Sequence, residues 1–415
     1  MAHPRNTETQ FLASLASSGQ FGRLAGYLGS NEPPNVRRKA ARHLSQSLEA
    51  LAEQDTTALI EELYRATLTE TDDAVRARII ETLVYLDDTA VDTLVEKIES
   101  DNHPTPTDSP HPLLYVRWLD SKHVELRLLA VAGLGSVGGA QVARRLAAAC
   151  SDHDDRIRMR AVEECGQLGD PRCVEAVVGC LDASDIAVRT TAARALVRIG
   201  TDEALAAVMP LAKEGELQVR RAVVEEVGTV GSLAVFGVIL KALDHSDEQF
   251  RTAAARAAVE LIAHAPSADR YTIRKTIGTH LQQSPDRDLI PEIRTITGAE
   301  EPTIRRNAIW LLGELLDPDT HTESLQTLVR SIADSDTKTA KIAVSQLTTL
   351  DQPIILDHVE AFIQTTELDS PALKRADFIR EKVTAKTADD HLKEAVEYTK
   401  VTDPSDYTAK HAEDS

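Results

Sequence analysis

Apolar residues in this sequence recur at the three- and four-residue spacing of an amphipathic helix, in short runs that come in pairs. In the clearest pair, one run extends from Ala161 to Leu168 and the other from Cys173 to Leu181. Neither run is long enough to bury its own apolar stripe. The pattern therefore predicts pairs of short helices that cover one another's apolar faces.

Between Asp120 and Ile262 the pairs repeat every 31 residues. Two sets of residues keep this spacing, first the arginines and then the glycines: Arg127, Arg158, Arg189, Arg220, Arg251; Gly138, Gly169, Gly200, Gly231. We call these arginines, together with Arg305 further along the chain, the Arg slots. An acid four residues before a slot is placed to cap the helix start, and each glycine is placed to end it. A fixed period of this size predicts stacked repeats.

The V-R-x-x-A, L-x-x-(I/L)-G and G-D-P-R-x-V-E-A elements, the last of them at Gly169 to Ala176, resemble the short HEAT repeat typified by phycobilisome-lyase proteins. The resemblance implies an all-α fold, an α-solenoid in which about eight to ten HEAT-like helix pairs form a right-handed superhelix. It further implies a long concave surface lined by the second helix of each pair, here the helices that begin at the Arg slots.

Repeat signals of varying strength divide the chain into consecutive segments of one continuous stack. We expect an N-terminal capping segment with divergent repeats (1–100), a Pro-rich insertion and aromatic helix (101–119), regular 31-residue repeats (120–262), divergent repeats (263–386), and a polar helix with an acidic tail (387–415). The prolines of residues 101–112 predict an exposed loop, since proline interrupts helices. Arg305 restores the repeat signature within the fourth segment.

The composition is acidic, with 66 Asp and Glu against 46 Lys and Arg, a net charge of −20, and only 4% aromatic residues. Dense carboxylates of this kind are typical of proteins from the salt-rich cytoplasm of halophilic archaea, and a functional acidic surface is the alternative. No apolar run approaches the roughly 20 residues of a membrane span. The stretch from Met1 to Gln10 has no apolar centre of a signal peptide, so a cytoplasmic location is expected.

The four cysteines lie within 31 residues of one another, which raises the question of a thiolate metal site. Each of them, however, occupies a position that is apolar in a neighbouring repeat; Cys165, for example, corresponds to Leu134 and Leu196. Buried small hydrophobes are therefore expected. The sequence contains no Gly-rich phosphate loop, GxSxG or HExxH motif, and no His-Glu dipeptide of the kind found in the HEAT-repeat enzyme deoxyhypusine hydroxylase. We expect no catalytic residues, metal or cofactor.

A non-catalytic scaffold or adaptor that binds another protein is accordingly the leading hypothesis. Its candidate contacts are polar residues on the slot helices, and their mixed charges favour a protein surface over a polyanion: Arg160, Glu163, Gln167, Arg194, Arg198, Glu225, Arg256 and Glu260. The alternative is a nucleic-acid or chromosome-associated protein that uses a basic patch of Arg37, Arg38, Lys39 and Arg42. Handling of a tetrapyrrole or another cofactor, implied by the phycobilisome-lyase resemblance, comes third.

Overall fold

The computed structural model of the protein describes residues 4–100, 111–231, 235–282, 289–350, 353–366 and 370–387. Over these ranges the chain forms 24 α-helices and no β-strand, and the predicted all-α solenoid fold is confirmed. The chain divides into two compact units, residues 1–204 and 205–415. None of the helices in the described ranges combines the length and the apolar character that crossing a bilayer requires.

The first unit stacks helix pairs of increasing regularity along the chain. Its helices are α1 (Pro4–Ser17), α2 (Phe21–Ala25), α3 (Pro34–Ser45), α4 (Leu48–Ala52), α5 (Thr57–Thr69), α6 (Asp73–Leu86), α7 (Ala90–Glu99), α8 (His111–Leu119), α9 (Val124–Val137), α10 (Ala140–Ala149), α11 (Asp155–Leu168), α12 (Val174–Gly179) and α13 (Ile186–Ile199). The slot helix α11 packs between α9 and α13. Its core side chains are small and aliphatic, which keeps neighbouring helices close together.

The second unit repeats this arrangement less regularly. The division between the units falls inside α14 (Asp202–Glu214), which is followed by α15 (Leu217–Val227), α16 (Phe236–Leu243), α17 (Glu248–His264), α18 (Ser267–Gln282), α19 (Ile290–Ile296), α20 (Pro302–Leu315), α21 (Thr322–Arg330), α22 (Thr337–Leu350), α23 (Pro353–Thr365) and α24 (Pro371–Thr387). The slot helix α17 contacts α20 directly. Helix α18 is therefore an addition to the 31-residue plan, and it accounts for the loss of register after Ile262.

Acidic residues cap the starts of the slot helices, as their spacing predicts. The side chains of Asp154 and Asp185 accept hydrogen bonds from backbone amides of α11 and α13, and Asp247 does the same for α17. Glu216 occupies the same position before α15 but makes no side-chain cap bond. The shorter aspartate is the better cap, because its carboxylate reaches the first free amides without folding back.

The periodic glycines have the positive φ that lets the chain turn after a helix. Gly169 ends α11 in the left-handed conformation with φ 63°, and Gly200 and Gly231 follow the same geometry. Gly138 differs: its φ is 68°, but its ψ of −178° makes the turn after α9 extended rather than left-handed.

Two expected features lie wholly or partly outside the described residues. Residues 101–110 of the Pro-rich segment are not described, while His111 and Pro112 already belong to α8. The predicted polar helix and acidic tail lie beyond residue 387 and are likewise not described. In the aromatic helix α8, Tyr115 and Trp118 are both buried.

Candidate protein-binding face

The Arg slots lock each helix to the turns on either side of it. In α9, Nη1 of Arg127 donates a hydrogen bond to the carbonyl oxygen of Ser121, six residues earlier, at 2.9 Å. Its Nε and Nη2 donate to the two carboxylate oxygens of Asp152, in the turn before the next slot helix, at 2.8 and 3.0 Å. The planar guanidinium thus joins two consecutive turns with one side chain. We call this arrangement the arginine clamp.

The arginine clamp recurs in both units. Arg305 donates to both carboxylate oxygens of Asp334 at 2.9 Å each, and Arg37 of α3 donates to those of Glu70 at 2.9 and 3.0 Å. Both arginines also bond backwards to a carbonyl oxygen five or six residues earlier in the chain. The clamp is therefore a repeated device of the scaffold.

Other slots keep only part of this geometry among their described contacts. Arg158, Arg189 and Arg251 each donate to the carbonyl oxygen six residues earlier. Arg220 instead lies over the ring of Phe250, with its Cζ 5.1 Å from the ring centroid. A cation above an aromatic face is a favourable contact that needs no carboxylate.

The acids of the clamps are held in their charged form. Burial opposes the ionisation of Asp152, but hydrogen bonds from Arg127 and from the amide of Asp154 keep its pKa below the ordinary value. The pKa of Glu70 is lowered in the same way, against burial, by Arg37 and two backbone amides. At neutral pH these are full ion pairs with charge-assisted hydrogen bonds, and the slot arginines are occupied by the scaffold itself.

A second periodic set of glycines, which the sequence-based prediction does not include, brings neighbouring slot helices into close contact. A Cβ atom on Gly166 of α11 would lie 2.8 Å from the Cα of Ala195 in α13. A Cβ atom on Gly228 would lie 2.8 Å from the Cα of Ala257 in α17. Both members of the second pair lie 62 residues after those of the first, so the 31-residue period carries the signal.

The close contact determines which side chains of α11 face outward. Gly166 faces α13, while the carboxylate of Glu164 occupies the space beside Gly135 of α9. Residues 160, 163 and 167 lie on the helix surface between these two contacts, because positions three, four and seven apart share a face. Gln167 is exposed and Glu163 is half-buried.

Helix α13 presents the equivalent positions next to α11. Arg194 and Arg198 lie 31 residues after Glu163 and Gln167, and Ala195 faces α11 as Glu164 faces α9. Arg198 is exposed and Arg194 is half-buried. We call Glu163, Gln167, Arg194 and Arg198 the α11–α13 polar face. It brings together four of the eight candidate contacts on two helices that pack without a gap.

Arg160, the other candidate on α11, belongs mainly to an internal network. Its Nη2 donates to Asp92 of α7 at 2.5 Å and its Nε to Glu164 at 2.7 Å. Glu164 is buried, and burial raises its pKa in spite of the attraction of Arg160. The guanidinium thus stabilises a carboxylate in the core and ties α11 to α7, which leaves it a smaller role at the surface.

The three candidates in the second unit have different surroundings. Glu225 accepts a hydrogen bond from Arg221 at 3.0 Å and is half-buried, while Arg256 is exposed and donates to Glu260 at 2.8 Å. Glu260, expected on the surface, is only 6% exposed. Its Cβ lies beside Gly228, at the close contact of the helices, so it is part of the core and not of a binding face.

The expected basic patch does not form one exposed surface. Arg37 is 8% exposed and is held in its clamp, so it cannot meet a phosphate group. Arg38 pairs at 2.5 Å with Asp72, the acid that caps α6. Lys39 is half-buried, and Arg42 is exposed. The prediction treated these four cations as a single patch because they are adjacent in sequence, whereas the helix turns them toward different surroundings.

The cysteine prediction agrees with the burial of all four thiols, which are free and lie in the core. Over the described ranges, no group of three or more His, Cys, Asp or Glu side chains is arranged to hold a metal ion.

A pocket of about 240 Å³ between α18 and α20 was not anticipated from the sequence. The guanidinium of Arg274 lies against the ring of Trp310 at 4.7 Å and donates to the amide oxygen of Asn307 at 3.1 Å. Tyr271, 54% exposed, stands at the rim. The Ile-Arg dipeptide at 273–274 lies 31 residues before the one that contains Arg305, and this spacing could have revealed a slot-like arginine here.

A family model for HEAT repeats matches residues 114–183 and 160–224. No curated protein matched the sequence. Among solved structures, the chain is similar to an engineered protein (17% identity, TM-score 0.43, covering 88% of this chain and 98% of that one). It is also similar to the CpcE–CpcF complex of phycocyanin lyase from Nostoc sp. PCC7120 (19% identity, TM-score 0.35, 69% and 99%) and to the structure of Kap95p with RanGDP (13% identity, TM-score 0.35, 87% and 51%). The family match, not these distant similarities, shows that the chain contains HEAT repeats over residues 114–224.

Proposed function

We propose that the protein is a non-catalytic scaffold that binds another protein through the α11–α13 polar face. The observation that carries this proposal is the Gly166–Ala195 contact, which holds the polar positions of two helices side by side on a rigid support. Rigid presentation reduces the entropy lost when a partner binds. HEAT repeats build extended surfaces for such contacts, which supports the proposal.

The charges of the polar face favour a polar protein partner. Glu163 lies next to Arg194, and Gln167 next to Arg198, so both signs and a neutral amide occur within a small area. A polyanion would meet Glu163 unfavourably, and the surrounding chain carries a net charge of −20. A partner with alternating acidic and basic side chains is the chemistry that fits best.

Affinity co-purification of the full chain from its own cytoplasm, with and without nuclease, tests the proposal. A companion protein should survive nuclease, bind directly when purified, and lose at least about tenfold in affinity to the Arg194→Glu, Arg198→Glu double variant. The matched control is Arg144→Glu, Arg145→Glu, because both arginines are exposed on α10, away from the polar face. Equal loss in both variants, or nucleic acid as the main companion, would contradict the proposal.

We further propose that the acidic composition is an adaptation to a salt-rich cytoplasm. Sixty-six acidic side chains repel one another at low ionic strength, and salt screens that repulsion. The unfolding temperature should therefore rise steadily with added potassium chloride into the molar range. A maximum at low salt would rule this out.

A further inference from the structure

Four thiols meet in the first unit where α10, α11 and α12 pack together. Cys150 follows the last turn of α10, and Cys165 lies inside α11, with the two Sγ atoms 3.9 Å apart. Cys180 follows α12, and its thiol approaches the carbonyl oxygen of Cys150 at 3.5 Å. Cys173 instead points to the carbonyl oxygen of Ala143 at 3.6 Å. The cluster is therefore centred on Cys150.

A pocket gives one side of this cluster access to solvent. The pocket has a volume of about 650 Å³ and is lined by Cys150 and Cys180, with the side chains of Arg158 and Arg172 at its wall. Cys165 does not line it and is fully buried. A small molecule that enters the pocket would thus meet Cys150 before Cys165.

The geometry of Cys150 and Cys165 suits oxidation to a disulfide. Their sulfurs are already in van der Waals contact, and rotation of the two side chains must shorten 3.9 Å to about 2.05 Å. The thiols of Cys165 and Cys180 also hydrogen-bond to Cys150, which lowers the pKa of the Cys150 thiol against the opposing effect of burial. The thiolate is the nucleophilic form, so Cys150 is placed to react first.

We propose that Cys150 and Cys165 form an oxidisable pair, a modification site whose substrate class is a small hydroperoxide that enters through the pocket. The Cys150 thiolate attacks one peroxide oxygen; the O–O bond breaks, and hydroxide leaves to be protonated to water. The resulting sulfenic acid is attacked by the sulfur of Cys165, which forms the S–S bond and releases a second water. In total, two thiols and one hydrogen peroxide give one disulfide and two waters.

The test treats the reduced full-length protein with hydrogen peroxide, removes the excess with catalase, and alkylates the remaining thiols after denaturation. Peptide mass mapping should show a Cys150–Cys165 linked peptide, with Cys173 and Cys180 alkylated, in protein whose helical circular dichroism is unchanged. The Cys165→Ala variant should lose the linked peptide and instead yield a dimedone adduct at Cys150. The matched Cys173→Ala variant should retain the link.

Three results would overturn the proposal. One is four alkylated thiols after a peroxide treatment that oxidises glutathione completely. Another is a link between Cys150 and Cys180 in place of Cys165. The last is a link that forms only when helical circular dichroism has been lost, which would place the reaction in the unfolded chain.

Discussion

Gly166 and Ala195 touch so closely that a Cβ atom on Gly166 would lie 2.8 Å from the Cα and 2.9 Å from the Cβ of Ala195. Hydrogen is therefore the only side chain that position 166 accommodates without moving α11 away from α13. The polar face depends on this spacing, because separation of the helices would also separate Glu163 from Arg194.

Replacing Gly166 by Ala should destabilise the protein by about 1–3 kcal/mol, because the added methyl group forces two backbones apart. The midpoint of urea unfolding, followed by circular dichroism, measures the change. Gly179→Ala is the matched control: Gly179 is helical, exposed, and has no heavy atom within 4 Å of the added methyl group. It should raise stability by about 0.4–1 kcal/mol, since alanine restricts the unfolded chain. Similar effects at both positions would show that the close contact is not tight.

Breaking the clamp at Arg127 should cost more than breaking an exposed pair of the same type. Arg127→Met leaves the partly buried Asp152 without its two charge-assisted hydrogen bonds, a loss of about 1–3 kcal/mol. Arg172→Met removes the more exposed partner of Asp170 and should cost no more than about 1 kcal/mol. A double-mutant cycle with Asp152→Asn measures the coupling by urea unfolding. A coupling near zero would argue against the clamp.

The second unit should lose stability in acid because of Asp336. Hydrogen bonds from Arg306, opposed by burial and assisted by Thr339, hold the pKa of Asp336 far below its ordinary value of 3.8. A carboxyl whose pKa is depressed by folding stabilises the folded state above the unfolded value, and that contribution disappears as pH falls below it. Urea midpoints should therefore drop from about pH 4 downwards.

Asp336→Asn removes this acid-sensitive contribution. The variant should be less stable than the parent by about 1–3 kcal/mol at neutral pH, and the difference should shrink in acid, because the parent loses what the variant already lacks. Glu381→Gln, at an exposed site of α24, serves as the control and should leave the acid profile unchanged. A constant difference between Asp336→Asn and the parent at every pH would refute the assignment.

Reversing the charge at Arg37 should unfold the first repeats rather than abolish binding of nucleic acid. Arg37→Glu places a second carboxylate beside the buried Glu70, and loss of a buried partner costs about 3–5 kcal/mol. Arg42→Glu, on the exposed side of the same helix, should change stability by less than about 0.5 kcal/mol. Thermal unfolding and a filter-binding assay with DNA distinguish the two effects. Salt-dependent DNA binding that Arg42→Glu abolishes without loss of stability would revive the nucleic-acid hypothesis.

Periodicity allowed the helices and their ends to be predicted, since it depends only on which positions are apolar, acidic or glycine. Asp154 at the start of α11 and Gly169 at its end follow from local chemistry that the sequence displays directly. Exposure of charged residues could not be predicted equally well. Glu260 and Arg37 are polar by type, yet neighbouring helices cover them, and a single helix's pattern does not contain that information.

Contacts between repeats were the part that periodicity contained but a helix-by-helix interpretation missed. The slot arginines were recognised by spacing, whereas their partners Asp152 and Asp334 lie in the next turn along the chain, 25 and 29 residues away. The pocket beside Arg274 depends on α18, an extra helix that no repeat predicts. Interactions set by the period are thus within reach of the sequence, and those set by insertions are not.

The Gly166–Ala195 and Gly228–Ala257 pairs join corresponding positions of different repeats. Each 31-residue segment therefore carries both halves of the contact, one to offer to the preceding copy and one to the following copy. Tandem duplication of such a segment produces a new junction that already fits, with no compensating mutation required. A gene encoding this array can lengthen or shorten in whole repeats while its protein remains folded at every step.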